Sequence, residues 1–360
     1  MIKKIVDFWL RRPVNDRFEL IRFSLAIFIA LALTLILVLL VSDEPLYALN
    51  LLFTGPVSSS RKFANVIEGA IPLTFLGLSV SVMFSARQFN LGSPGALFLG
   101  GTVASVVALT FNLPFVILPL VGIFFAGIVG GLITLIPAFI KLKWGASELV
   151  ASLMMNFVAL NLGFFIILNY FRDPDAGSLA SFVYPEEARL GTIFENTRIH
   201  YGLIILIIMT IIIYLFLNRT KWGYALRMTG FNFKFAKYSG ISTAAVIIYS
   251  QFLGGFLAGI GGAIEKLGMY DRFRWQFMPT YDFDGVIVAV LAKNKPQYIP
   301  LAAFVLSYIR VGADTMSINS DVSYQMISII QGVIIILIAA SGLLSTYRQK
   351  MIVKEASANA

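Results

Sequence analysis

The sequence predicts an all-α integral membrane protein with about ten transmembrane helices. Three observations predict it. The chain is 58% hydrophobic and 13% charged, with a mean hydropathy of +0.83. Soluble domains are about 45–50% apolar and about 25% charged, and a soluble fold of 360 residues could not hide so much apolar surface. Apolar runs of about 20 residues, enough to cross a hydrocarbon core, recur along the chain. Lys and Arg fall mainly in alternate connecting segments, as positive-inside topology requires.

The elements follow in order. Residues 1–20 are mostly polar and carry Lys3, Lys4, Arg11, Arg12 and Arg17. The run 21–42 is too long for a signal-peptide core and lacks a small-residue cleavage site, so it reads as a retained first span. Further spans are expected at 65–86, 89–110, 113–140, 147–170, 200–217, 243–268, 283–294, 296–313 and 324–345. The eighth is too short to cross alone. With both termini cytoplasmic, nineteen bases lie inside and seven outside; the reverse orientation violates the rule. The body is then 21–345, with an external loop at 171–199, a cytoplasmic loop at 218–242 and a cytoplasmic tail at 346–360. The net charge of +9 belongs to the inner loops and gives no reason to expect nucleic acid.

Several chemistries are excluded. There is no cysteine, so no disulfide, thiolate or zinc–thiolate site can form. The single histidine, His200, rules out paired-histidine metal sites and reads as an interfacial aromatic at the outer mouth of a span. No phosphate-binding G-x-x-x-x-G-K-[ST] motif occurs. No catalytic or metal residue is assigned, and the chain reads as a non-enzyme.

Ionisable residues within spans are few. Glu68, Glu265, Lys266 and Arg310 are expected near outer ends, where long side chains can snorkel. Glu148 follows Ser147 at an inner helix start, which suits a capped N-terminus. A midplane free of charge argues against ion coupling and a charged solute. Asn156 and Asn161 remain; an amide in hydrocarbon needs a partner, either an interhelical one or a hydrogen-bonding solute. Gly127 with Gly131, and Gly255 with Gly259, have the spacing of close helix packing. The stretches FNLGSPG (Phe89–Gly95) and YDFDG (Tyr281–Gly285) each precede a short apolar helix and enter from opposite sides, the pattern of an inverted repeat. Asn90, Asn156 and Asp284, with Phe89 and Phe283, are therefore the pathway candidates. The alternative is that Asn90, Asp282 and Asp284 only cap helices near an interface.

These stretches together resemble the permeases of bacterial ABC importers for simple sugars, nucleosides and branched-chain amino acids. The resembling segments are KLKWGASELVASLMMNFVALNL (Lys141–Leu162), FNLGSPGALFLGG, TKWGYALRMTGFNFKFAKYSGIS (Thr220–Ser242) and FDGVIVAVLAKNKP (Phe283–Pro296). The last resembles the nucleoside branch. Pro94, Ala96, Ser147 and Asp282 depart from the family's pattern. The resemblance spans about residues 65–345 and implies a type II importer-like complex in a bacterial plasma membrane. It implies a second, different permease chain, a cytoplasmic ATPase that carries ATP and magnesium, and an extracellular substrate-binding lipoprotein. No cofactor is expected on this chain. It also implies that Arg227, Gly230, Asn232, Ala236, Tyr238 and Gly240 form a coupling segment for the ATPase. The expected function is a path for a neutral solute such as a nucleoside. The alternatives are a ribose- or galactose-type sugar permease and an ion-coupled carrier.

Overall fold

The computed structural model describes residues 42–194, 197–278, 281 and 283–323, with isolated positions at 32, 33, 35, 36, 38, 39, 326, 329 and 332. The expected spans 21–42 and 324–345, the N-terminal segment and the tail lie almost wholly outside the described residues, as do Glu195 and Asp282.

Eleven α-helices are described: α1 (Pro45–Thr54), α2 (Ser60–Ser85), α3 (Ser93–Thr110), α4 (Ile117–Trp144), α5 (Glu148–Tyr170), α6 (Gly202–Arg219), α7 (Lys221–Phe231), α8 (Phe233–Tyr238), α9 (Thr243–Met269), α10 (Asp284–Leu291) and α11 (Ile299–Asn319). Among the described residues there is no strand, only two isolated bridges. The helices α2 to α6, α9 and the segment 296–319 are long and apolar enough to cross a membrane. Each lies within a few residues of an expected span. At eight residues α10 is too short to cross, as expected. The helix α1 was not expected, because ten residues cannot span; Pro45 at its first turn pre-sets the backbone for helix.

Residues 56–308 form one compact unit. Its centre is α9, which lies against α2, α3 and α4. Water does not drive helices together in lipid, so close backbone approach and van der Waals packing must do it. A Cβ on Gly262 would sit 1.8 Å from the Leu97 carbonyl oxygen of α3. Cβ atoms on Gly255 and Gly259 would sit 2.2 Å from the carbonyls of Gly130 and Ala126 on α4. The expected glycine pairs therefore do pack helices. The described part of the external segment is tied to the end of α9 and the stretch after it: Ser181, Tyr184 and Leu190 donate backbone hydrogen bonds to Phe273, Asp271 and Leu267. Arg272 pairs with Asp173 at 2.9 Å.

The described residues before 56 and after 308 belong to a second unit. Its described core contains Val38, Ala48, Leu52, Ala313, Met316 and Val322. Asp321 accepts from Ser42 Oγ and Asp43 N–H, both at 2.6 Å, and these bonds hold its carboxyl below the ordinary range.

Candidate functional site

One end of the 56–308 unit collects bases: Arg87, Lys141, Lys143, Arg219, Lys221 and Arg227 among them. There α2 ends at Ser85 and the chain turns through Arg87, at φ +57°, before α3 begins at Ser93. This 86–92 turn is held by side chains from three other helices. Gln88 donates to the Ala86 carbonyl at 2.9 Å and accepts from Lys141 Nζ of α4 at 2.5 Å. Lys141 also donates to Glu148 of α5 at 2.6 Å. Gln251 Nε2 of α9 donates to the other Glu148 oxygen, and Asn90 Nδ2 donates to Gln251 Oε1. Asn90 Oδ1 accepts from Gly92 N–H at 2.6 Å. The result is a closed ring, Gln88–Lys141–Glu148–Gln251–Asn90, buried apart from part of Lys141. Such charge-assisted bonds are shorter and stronger than neutral ones.

Asn90 and Asn156, two of the pathway candidates, meet at this turn. Asn156 of α5 accepts from Gly95 N–H at 3.0 Å and donates to the Leu91 carbonyl at 2.9 Å. Both amides thus bind backbone. Asp284 stands on another element, in the first turn of α10, where Gly285 packs on Leu76 of α2. Phe89 and Phe283 are more than half exposed. Ser147 makes no capping bond; Glu148 is placed by the ring instead.

The expected coupling segment holds two short helices, α7 and α8, where one is expected. Thr220 caps α7 by accepting from Gly223 N–H, and Asn232 caps α8 by accepting from Phe235 N–H, both at 3.0 Å. Gly223 and Gly230 permit close seating: a Cβ on Gly230 would lie 2.2 Å from the Ser85 carbonyl oxygen. Ala236 is fully buried, and Gly240 turns the chain at φ +80°. Arg227 is exposed, and Phe231 and Tyr238 are 84% and 89% exposed. Of the six coupling candidates, Gly230, Asn232, Ala236 and Gly240 build the pair, while Arg227 and Tyr238 face outward.

The structure thus seats a basic, aromatic helix pair on a bundle of spanning helices, and the comparison with known sequences decides what family this is. Residues 63–339 match the family described as branched-chain amino acid transport system / permease component. The chain belongs to that family. Similar proteins include the guanosine ABC transporter permease protein NupP of Bacillus subtilis, 30% identical over 88% of this chain and 92% of that one. The glucose ABC transporter permease protein TsgB13 of Haloferax volcanii is 28% identical, covering 90% and 88%. The nucleoside ABC transporter permease protein NupB of Lactococcus lactis is 27% identical, covering 88% and 89%.

At the opposite end, the permease corrects one expectation. Glu68, Glu265 and Lys266 do not snorkel; they are 2%, 2% and 0% exposed. Glu68 lies two turns inside α2, and both α9 residues face the packed interior. Lys266 Nζ sits 3.5 Å from the Trp275 ring centroid, 4.2 Å from Tyr270 and 4.6 Å from Phe273. Trp275 stacks on Phe98 at 5.4 Å, and Tyr281 donates to Glu265 at 3.3 Å. Spacing alone could not show that these residues point inward. What changes is their setting: these ionisable groups are packed inside the bundle rather than reaching toward the interface.

Proposed function

We propose that the chain is the permease subunit of an ABC importer that carries nucleosides. The exposed basic α7–α8 pair, braced on the 85–92 turn, supports this reading most directly: it offers Arg227, Phe231 and Tyr238 to a partner while its glycines fix it to the bundle. In this reading a cytoplasmic ATPase, which holds ATP and magnesium, docks there. A second permease chain completes the path, and a lipoprotein delivers solute at the end formed by 171–199. The base-rich end is cytoplasmic and the membrane is the plasma membrane of a bacterium. Nucleosides are favoured over sugars by the likeness to NupP, a guanosine permease, and NupB, a nucleoside permease, and by the FDGVIVAVL segment. In this reading Asn90, Asn156 and Asp284, with Phe89 and Phe283, belong to the solute pathway.

The test is uptake by cells or proteoliposomes holding the whole transporter. Labelled guanosine should accumulate in an ATP-dependent way, and unlabelled nucleosides should compete better than ribose, galactose or glucose. Competition by the sugars alone would move the permease to the sugar branch.

A further inference from the structure

Two things meet at the 85–92 turn: the seat of α7 and the buried ring. Gly230 rests on Ser85, three residues before Gln88, the first member of the ring. The ring then reaches α4 through Lys141, α5 through Glu148 and α9 through Gln251, and returns to the same turn at Asn90. Leu91 N–H donating to Ser152 Oγ at 3.0 Å and Gly95 N–H donating to Asn156 add two more ties to α5. We propose that this ring is the transmission element: it makes α4, α5 and α9 follow a displacement of α7. The proposal rests on the reading of α7–α8 as an ATPase-docking pair.

The physical reason is the price of breaking one link. Glu148 is 4% exposed at its side chain and has Lys141 as its charged partner. A buried carboxylate left without its cation is strongly unfavourable. The pair locks α4 to α5, and the turn is tied to it through Gln88 on Lys141 and Asn90 on Gln251, so a shift of the turn either breaks these buried bonds or carries the C-terminal end of α4 and the N-terminal end of α5 with it. Without the ring, the same shift would be absorbed locally at Arg87, where the backbone is already left-handed. Lys141 and Glu148 are thus positioning residues that act through the turn and touch no solute.

Charge exchange makes this testable, because Gln88 and Gln251 carry both a donor and an acceptor and can rotate to serve a reversed pair. The assembled transporter is reconstituted, and three quantities are measured: co-purification of the ATPase, basal ATP hydrolysis, and uptake per ATP hydrolysed. The probe is whichever of guanosine, ribose, galactose and glucose the wild type accumulates most. Lys141→Met and Glu148→Gln should keep the ATPase bound and hydrolysing, while uptake per ATP falls roughly two- to thirty-fold, the usual range for a coupling residue. The double variant Lys141→Glu with Glu148→Lys should recover most of the loss. Unchanged uptake per ATP in both single variants overturns the proposal. So does loss of ATPase binding in the single variants with no recovery on exchange, since the ring would then serve folding alone. Gly230→Trp reports docking separately: it should release the ATPase, and normal binding and uptake would instead remove the docking reading on which the ring's role rests.

Discussion

His200 sits where the chain enters α6, fully buried, with Nδ1 accepting from Gly202 N–H at 3.1 Å and its ring against Gly268. Burial lowers its pKa from 6.5 to about 4. The neutral form is therefore the folded form. Its contribution to stability is complete above pH 6.5 and is lost as pH falls toward 4, by at most ~3 kcal/mol. Thermal unfolding of the solubilised protein should show wild type losing more stability than His200→Gln between pH 7.5 and 4.5. Equal losses would mean that the imidazole is not held neutral. At the same scale, Lys234 is exposed on α8 and faces no described acid within salt-bridge distance. Lys234→Ala should leave ATPase co-purification within about fivefold, since an exposed pair contributes only about 0–1 kcal/mol.

Among the helices, α9 is the most constrained, because three neighbours touch its backbone. Leu97 carbonyl oxygen fills the space where any side chain at 262 would begin. Gly262→Val must push α3 away along its length, and overpacking of this kind costs about 1–3 kcal/mol or more. Gly177→Ala, with nothing within 4 Å, should be neutral. The measurement is the unfolding midpoint in detergent; a Gly262→Val variant as stable as wild type would refute the close α3–α9 contact. The glycine spacing on α4 and α9 was legible in the sequence because small residues four apart mark one helix face. Their partners were not: the meeting of Gly255 with Gly130 depends on helix offset, which no single stretch encodes. For the same reason Glu68 and Lys266 were misplaced. Their distance from a helix end can be counted, but the direction of the side chain is set by which neighbour packs there. Asn90, Glu148 and Asn156 are each visible as polar residues in apolar surroundings, while the sequence does not show Gln88, Lys141 and Gln251 as their partners, because these come from a turn and two helices far apart along the chain.

For the whole molecule, orientation follows from the distribution of bases. The end that holds the ring and α7–α8 also carries Lys221, Lys234 and Lys237, with no acid between residues 218 and 242. The opposite end has Arg172, Arg189 and Arg198, interspersed with Asp173, Asp175, Glu186 and Glu187. Retention of Lys and Arg on the cytoplasmic side predicts that the first end faces the ATP pool, which the docking reading also demands. Because the chain has no cysteine, single replacements report sidedness without background. Ser178 and Lys234 are both exposed, so each replacement should be reactive and disturb little. An impermeant maleimide should label Ser178→Cys in intact cells and Lys234→Cys only after permeabilisation. The opposite result would place α7–α8 outside, away from ATP, and would remove both the docking surface and the importer reading together.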